Sequence, residues 1–373
     1  MQPPRQTSRR DFLQGKSAAE QLQDLTQGRD GLADPTAGAA SQQANLAGSA
    51  AAGPYLAQLG RAAMACQFEL YFNGGQYSNS MQAGLEALDR IEQLEEQLSV
   101  YRDQSEISHI NRVAAFAPVV VEAGLFELLA QAMKINQETG GAFDVTASPL
   151  SRAWGFFRRA GQVPTAEELE KARSLVGSQF VALDPECRSV KFDKPGIELS
   201  LNSIGKGYAL DRAADLLHCQ DVSDFMFHGG QSSVLAAGAH AATPELGWTI
   251  GLQHPLRPEL RLAEFFLRDE ALATSGTGRQ HFHHLGRRYG HILDPRSGLP
   301  AEGVYSSTVI ARTAAEADAL STAFYVLGPH FAQPYCQSHA GVGMLIVTPG
   351  EKQGTIAVHA FGLREDSWRR CEE

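Results

Sequence analysis

A carboxylate and a hydroxyl lie four residues apart in Ala317-Asp318-Ala319-Leu320-Ser321-Thr322. On a helix, Asp318 and Thr322 share one face. Hard cations such as Mg²⁺ take oxygen ligands of this kind. The plainer reading is a solvated Asp beside a Thr bonded to its own backbone. A second segment, Gly290-His291-Ile292-Leu293-Asp294-Pro295-Arg296-Ser297-Gly298, packs His, Asp and Arg between two glycines, with a proline to fix the turn. His291 has the titration range of a general base or ligand donor. The bland alternative is an Asp-Pro turn whose His caps a strand. In Leu199-Ser200-Leu201-Asn202-Ser203-Ile204-Gly205-Lys206-Gly207 a strand-like run passes into a helix start. Small residues there admit a ligand to the backbone, a helix N-terminus favours phosphate, and Lys206 adds a point charge. An ordinary strand-to-helix turn has the same composition. His228-Gly229-Gly230-Gln231 pairs two glycines between apolar runs, which suits close approach to a flat ring or tight strand packing. His281, His283 and His284 form a cluster, but strand alternation would split them over two faces, which argues against a metal site.

Alternating helices and strands must carry these segments. Met81, Leu85, Leu88, Ile91, Leu94 and Leu98 recur at three- and four-residue steps, one face of an amphipathic helix. Leu125, Leu128, Leu129, Ala132 and Ile135 mark a second helix. Thr165-Ala166-Glu167-Glu168 is a capping box that opens a third. Tyr208 to Leu217 and Ala315 to Leu327 read as two more. Strand-like runs are Gln67–Phe72, Gln179–Leu183, Ser189–Phe192, Ile197–Leu201, Leu262–Leu267, Val304–Ile310, Met344–Val347 and Thr355–Phe361. Asp184-Pro185-Glu186-Cys187 reads as a hairpin turn. Strands that come partly in hairpins favour α+β with antiparallel sheet over a doubly wound parallel fold. Neither a G-x-G-x-x-G nor a P-loop signature occurs, so the standard dinucleotide and nucleotide readings fall away.

The 373 residues are 43% hydrophobic and 20% charged, a globular composition, and 32 basic against 42 acidic side chains give a net charge of −10. A nucleic-acid partner is not expected, because a phosphate backbone needs a basic face. No run reaches the roughly 18 apolar residues of a membrane helix, so no integral membrane segment is expected. Five cysteines without a C-x-x-C argue against a disulfide framework or structural zinc. Residues 1–60 read as a flexible tail. Ser8-Arg9-Arg10-Asp11-Phe12-Leu13 is similar to a twin-arginine export motif, yet Gln14 to Asp30 is polar where an apolar segment is required. The expectation is a cell-envelope or periplasmic location if that motif works and a cytoplasmic one if it does not. Residues 61–362 are expected to form the folded domain and 363–373 a polar tail.

Taken in order, the motifs resemble the ApbE-type flavin transferases. Ser99-Val100-Tyr101, then Ser105-Glu106-Ile107-Ser108-His109-Ile110-Asn111, is similar to the family's S-T-Y and S-E-[LI]-S-x-[LI]-N. Gly140 to Thr146, Pro149-Leu150 and Trp154-Gly155-Phe156 resemble its GGAFD, PL and WGF. Ile204-Gly205-Lys206-Gly207-Tyr208-Ala209-Leu210-Asp211 resembles I-A-K-G-Y-A-V-D, and Ala273 to Gly276, His291 to Gly298 and Ala317 to Thr322 resemble ATSG, HI-x-DP-x-[TS]-G and ADALATA. The resemblance spans about residues 60–360. It implies an α+β, T-fold-related architecture of mixed, largely antiparallel sheets flanked by helices, with a ligand cleft between two sub-regions.

It also implies magnesium-dependent transfer of FMN from FAD, as substrate, to a threonine of an acceptor protein, with release of AMP. Met64, Tyr101, Ala142, Phe143 and Asp144 would line the FAD pocket, with Ser200, Lys206 and His291 against the cofactor. Ser203, Asp318 and Thr322 would hold Mg²⁺, and His291 would take the hydroxyl proton, oriented by Asp294. Three departures stand out. Ser200-Leu201-Asn202-Ser203 replaces the family's Asp-Leu-Gly-Gly, Gly229-Gly230-Gln231 its Gly-Gly-Asp, and Met64-Ala65-Cys66 its Met-Gly-Thr. Two carboxylates are lost. Hydrolysis of FAD to FMN and AMP, or FAD binding without chemistry, are the alternatives.

Overall fold

The structure is a computed structural model that describes residues 55–157, 160–276 and 280–371. The twin-arginine-like motif and most of the expected N-terminal tail lie outside these residues. The helices are α1 (Ser80–Leu98), α2 (Glu106–Val113), α3 (Ala123–Glu138), α4 (Ser148–Ala153), α5 (Ala166–Arg173), α6 (Gly205–Cys219), α7 (Ala314–Leu327) and α8 (Pro329–Ser338). Eight strands form one antiparallel sheet. In spatial order they are β1 (Leu56–Ala63), β2 (Cys66–Asn73), β6 (Phe225–Gly229), β7 (Ser233–Ala237), β10 (Glu270–Gly276), β13 (Ser306–Ala311), β14 (Gly343–Pro349) and β15 (Ile356–Phe361). Three smaller antiparallel sheets accompany it. One joins β16 (Trp368–Arg370), β9 (Arg261–Leu267) and β8 (Trp248–Gln253), and one joins β3 (Val119–Val120), β5 (Ser189–Phe192) and β4 (Val181–Asp184). The last is the hairpin of β11 (His281–His284) and β12 (Arg287–Gly290).

Period-two alternation sorts the large sheet's side chains into two cores. Phe68, Leu70 and Phe72 on β2 and Phe225 and Phe227 on β6 are fully buried against α1, α6 and α7. On the opposite face, Ala236, Leu272, Ile310, Leu345 and Val347 pack on Trp248, Leu262, Phe265 and Leu267 of the three-stranded sheet. A layer of helices, a large sheet and a smaller sheet result, the α+β arrangement expected from the hairpins.

Several local expectations need correction. In α1, Met81 and Leu85 are exposed, whereas Ala83, Gly84 and Ala87 are buried. The helix turns its small residues to the sheet because the approach is close: a Cβ on Gly84 would lie 2.6 Å from Leu59 Cδ1. Ile197–Leu201 forms no strand. Its backbone is claimed by a side chain: Asn111 Nδ2 donates to the Leu199 carbonyl (2.9 Å), and Leu199 N–H donates to Asn111 Oδ1 (2.8 Å). Gln179–Phe180 belongs to a 3₁₀ turn, and the strand starts at Val181. β1 begins at Leu56, inside the expected tail, and β16 lies beyond residue 362, where Trp368 stacks on Phe265 at 6.3 Å. The Thr165 capping box is present, with Thr165 N–H donating to Glu168 Oε2 (2.8 Å) and Glu168 N–H to Thr165 Oγ1 (3.2 Å).

Candidate active site

α7 is buried on most of its sides, so a polar residue within it must find partners inside the protein. Asp318 is 5% exposed. Its Oδ1 accepts the Ser233 hydroxyl (2.6 Å), and its Oδ2 accepts Gly207 N–H (3.0 Å) and faces Lys206 Nζ at 3.4 Å. Gly207 lies in the first turn of α6, where backbone N–H groups have no helical acceptor. The two helices meet there closely enough that a Cβ on Gly207 would fall 2.0 Å from the Ala314 carbonyl oxygen. Asp211, one turn further along α6, accepts Ala314 N–H (2.8 Å) and Ala315 N–H (2.9 Å) and so caps α7 from outside. Burial pushes the Asp211 carboxyl up to about 6, against the pull of those two amides.

Further hydroxyls gather at the backbone of Asp318. Ser321 and Thr322 donate to the Asp318 carbonyl (2.9 and 3.3 Å), and Ser275 Oγ lies 2.9 Å from Ser321 Oγ and 3.2 Å from Thr322 Oγ1. Thus Asp318 and Thr322 stand on one face, as their spacing predicts; Thr322 is bonded to its own backbone, as the plainer reading has it, while Asp318 is buried rather than solvated. Cys66, at the start of β2, is close enough that Lys206 and Asp318 act on its thiol, which burial raises above the ordinary range. Ser203 is half-buried two residues before α6. Among the described residues, no group of three or more His, Cys, Asp or Glu side chains is placed to hold a metal.

His291 follows β12. Its Nδ1 donates to the Gln280 carbonyl (3.1 Å), and its ring meets Phe156 edge-on at 6.4 Å. Burial, with a smaller push from Lys206, holds its pKa below the ordinary histidine value, so the imidazole is neutral at neutral pH. Asp294 does not orient it. The Asp294 carboxylate is gripped by Arg296, through Nε (2.8 Å) and Nη2 (2.9 Å). The loop is fixed by Trp154 Nε1 donating to the Gly298 carbonyl (2.8 Å) and Arg173 to the Arg296 carbonyl (3.1 Å).

The other expected pocket residues divide by burial. Phe143 and Ala142 are 1% exposed, and Phe143 belongs to the main core. Asp144 is saturated: Oδ1 accepts Thr146 N–H and Oγ–H and Ser178 Oγ–H, and Oδ2 accepts Asn136 Nδ2 and Ser178 N–H, all at 2.6–3.0 Å. Its side chain organises the loop, and with Ala142 and Phe143 buried neither they nor the Asp144 carboxylate are turned out to a ligand. Ser200 N–H donates to the Val145 carbonyl (2.7 Å), which ties that segment to the same loop. Tyr101 is 59% exposed and rests on Phe157 at 4.8 Å. Met64 sits with Ala65 in the two-residue β1–β2 turn, both at positive φ, where Gly or Asn is more usual.

A model of the ApbE family matches residues 63–346. The chain belongs to the ApbE family. The FAD:protein FMN transferase of Vibrio cholerae is 32% identical over 255 residues, covering 67% of this chain and 74% of the relative. That of Escherichia coli K12 is 29% identical over 267 residues, covering 70% and 74%. Among solved structures, the flavin transferase ApbE from Vibrio cholerae superposes with a TM-score of 0.72 at 26% identity, covering 83% of this chain and 98% of that one. The ApbE protein from Thermotoga maritima does so with 0.72 at 29%, covering 81% and 96%. The T-fold-related, mixed and largely antiparallel arrangement is therefore that of ApbE proteins.

Within this candidate site, sequence reasoning missed Ser233, Ser275 and Ser321 as partners of the Asp318 region, and Asp211 as the clamp between helices. Ser275 and Ser321 lay inside ApbE-like motifs, and Asp211 ended one. Ser233 carried no signal beyond following the paired glycines. The His281 and His283 rings meet at 5.3 Å on one face of an exposed hairpin, with Phe282 on the other.

Proposed function

We propose that this protein transfers FMN from FAD to a threonine of an acceptor protein and releases AMP, with Mg²⁺ required. The observation that carries the reading is the buried Asp318 cluster within a chain matched to the ApbE family from residue 63 to 346. The activity of these relatives, FAD:protein FMN transfer, supplies the substrate and the acceptor class.

The donor chemistry fits Mg²⁺. Asp318 offers a carboxylate and Thr322 a hydroxyl with free lone pairs, with Ser203 half-buried before α6, and Mg²⁺ commonly takes one or two carboxylates and completes its shell with water and substrate phosphate. When bound, the ion would neutralise charge developing on the pyrophosphate. The chain's own residues do the rest. Lys206 presents a cation beside Asp318, and the first turn of α6 adds a positive helix end. The backbone of the 140–144 loop, with Met64 and Tyr101, would bound the flavin-side pocket, Ala142 being buried beneath it. Neutral His291, held by the Gln280 carbonyl through Nδ1, keeps Nε2 to accept the threonine proton. A phosphoryl-type transfer asks mainly for alignment and charge stabilisation, and such a site supplies both.

The test is AMP release from FAD by the purified chain, with Mg²⁺ or EDTA, and with or without a threonine-bearing acceptor. Magnesium-dependent AMP with covalent flavin on the acceptor is expected. AMP without labelled acceptor would instead indicate hydrolysis, and FAD binding without AMP a flavin carrier.

A further inference from the structure

The face of the large sheet opposite the helices carries a chain of polar side chains that the proposed chemistry does not use. Gln58 Nε2 donates to the Tyr71 hydroxyl (3.1 Å), and Tyr71 donates to Glu69 Oε2 (2.8 Å). Glu69 Oε2 lies 2.9 Å from His228 Nε2, and His228 Nδ1 donates to the Gly230 carbonyl (2.8 Å). The chain crosses three adjacent strands, β1, β2 and β6. Glu69 and His228 are direct cross-strand partners, and the Tyr71 and His228 rings stack at 5.9 Å. Burial and Glu69 push the Tyr71 phenol up to about 12, so it remains a donor.

The chain ends at the turn that joins β6 to β7. Gly230 is at φ +62, its N–H donates to the Gln67 carbonyl (2.8 Å), and its carbonyl is taken by His228. Both sides of this residue are therefore gripped. On the far side of the turn, the Ser232 carbonyl accepts Thr274 N–H (2.7 Å), and Ser233, fully buried on the helix face, donates to Asp318. The turn is a short lever through the sheet, with His228 on one face and Asp318 on the other.

We infer that His228, held by Glu69 and Tyr71, is a positioning residue that sets the Gly229–Ser233 turn and, through Ser233, the orientation of the Asp318 carboxylate. This rests on the reading of Asp318 as a metal ligand. A side chain bonded directly to a ligand, as Ser233 is to Asp318, typically governs about 10–100-fold in metal affinity or activity, and His228 acts on that contact through the turn.

The experiment measures Mn²⁺ affinity by electron paramagnetic resonance, with FAD present and acceptor omitted, alongside KM for FAD, kcat and thermal midpoint. The variants are His228→Phe, which keeps the stack on Tyr71 and loses the bond to Gly230, and His228→Asn, whose amide can replace the Nδ1 donor. Glu69→Gln serves if His228→Phe does not fold. About tenfold weaker Mn²⁺ binding and lower kcat in His228→Phe, with KM for FAD unchanged and substantial recovery in His228→Asn, is the expected result. In Glu69→Gln the same loss, smaller, is expected. Unchanged Mn²⁺ affinity, with thermal midpoints that fall alike in both His228 variants, would make the chain merely structural and overturn the inference. If the unsubstituted protein binds Mn²⁺ no better than Asp318→Asn, the metal reading itself is wrong, and the inference goes with it.

Discussion

At the scale of single residues, charge and proton placement decide what the site can do. Asp318→Asn keeps the shape and most hydrogen bonds but removes the carboxylate at the centre of the cluster. AMP release should fall by about 10²-fold or more with little change in thermal midpoint; equal turnover in the variant would remove Asp318 from the chemistry. His291 carries a pH prediction. Its pKa is held below the usual 6.5 by burial, so kcat/KM should rise with pH through an acid limb centred below 6.5 and then level off. His291→Gln should lower the plateau by about 10²-fold and erase that limb. A limb that persists unchanged belongs to another group. Type and spacing single out Asp318, Thr322, Lys206 and His291 as candidates, but an ordinary helix face, turn or cap also fits them, and only the family resemblance assigns them roles. The parts Asp294 and Asp144 play were not legible, because a carboxylate's role depends on which donors the fold brings, and here Arg296 and the 144–178 contacts take them.

At the scale of elements, the contact between α6 and α7 brings Lys206 and Gly207 to Asp318. Gly207→Ala places a methyl 2.0 Å from a backbone carbonyl that cannot rotate away, so the helices must part. A loss of about 1–3 kcal/mol is expected from denaturant unfolding, with a larger proportional loss of turnover; wild-type activity in that variant would show the contact to be slack. Asp211 makes the same junction pH-sensitive. Its folded pKa, about 6, is above the ordinary 3.8. The folded state thus binds a proton more readily than the unfolded chain between those values, and this group's contribution to stability increases as pH falls through 6. The stability advantage of the natural chain over Asp211→Asn should therefore grow from pH 7 to pH 5, and a constant difference would rule this out. Helices and hairpins with strong local signals, such as the Thr165 box and β4–β5, were readable from sequence. The rotation of α1 onto Ala83, Gly84 and Ala87 was not, because periodicity ranks large apolar residues above the small ones that close packing requires. Nor was Asn111 readable as the partner of Leu199, since a side-chain amide standing in for a strand leaves no pattern.

At the scale of the whole molecule, a protein of net charge −10 must bind an anionic pyrophosphate, and its candidate metal site offers one carboxylate with a lysine 3.4 Å away. Such a site holds a divalent cation weakly by itself, and a phosphate-bearing ligand meets net negative charge without the cation. Each therefore supplies what the other lacks. On the proposed reading, positive coupling between Mg²⁺ and FAD is expected, and coupling of binding free energies is reciprocal. In the absence of acceptor, before AMP accumulates, FAD should lower the Mg²⁺ dissociation constant by the same factor by which Mg²⁺ lowers that of FAD, about 5–150-fold. Thermal midpoints report the same linkage, because each ligand that binds only the folded state stabilises it by mass action. Mg²⁺ and FAD together should raise the midpoint by more than the sum of their separate shifts, and Asp318→Asn should reduce the pair to simple addition. Additive shifts in the unsubstituted protein would mean that the cation and the pyrophosphate do not meet at Asp318, and that the charge on FAD is met by Lys206 and the α6 terminus alone.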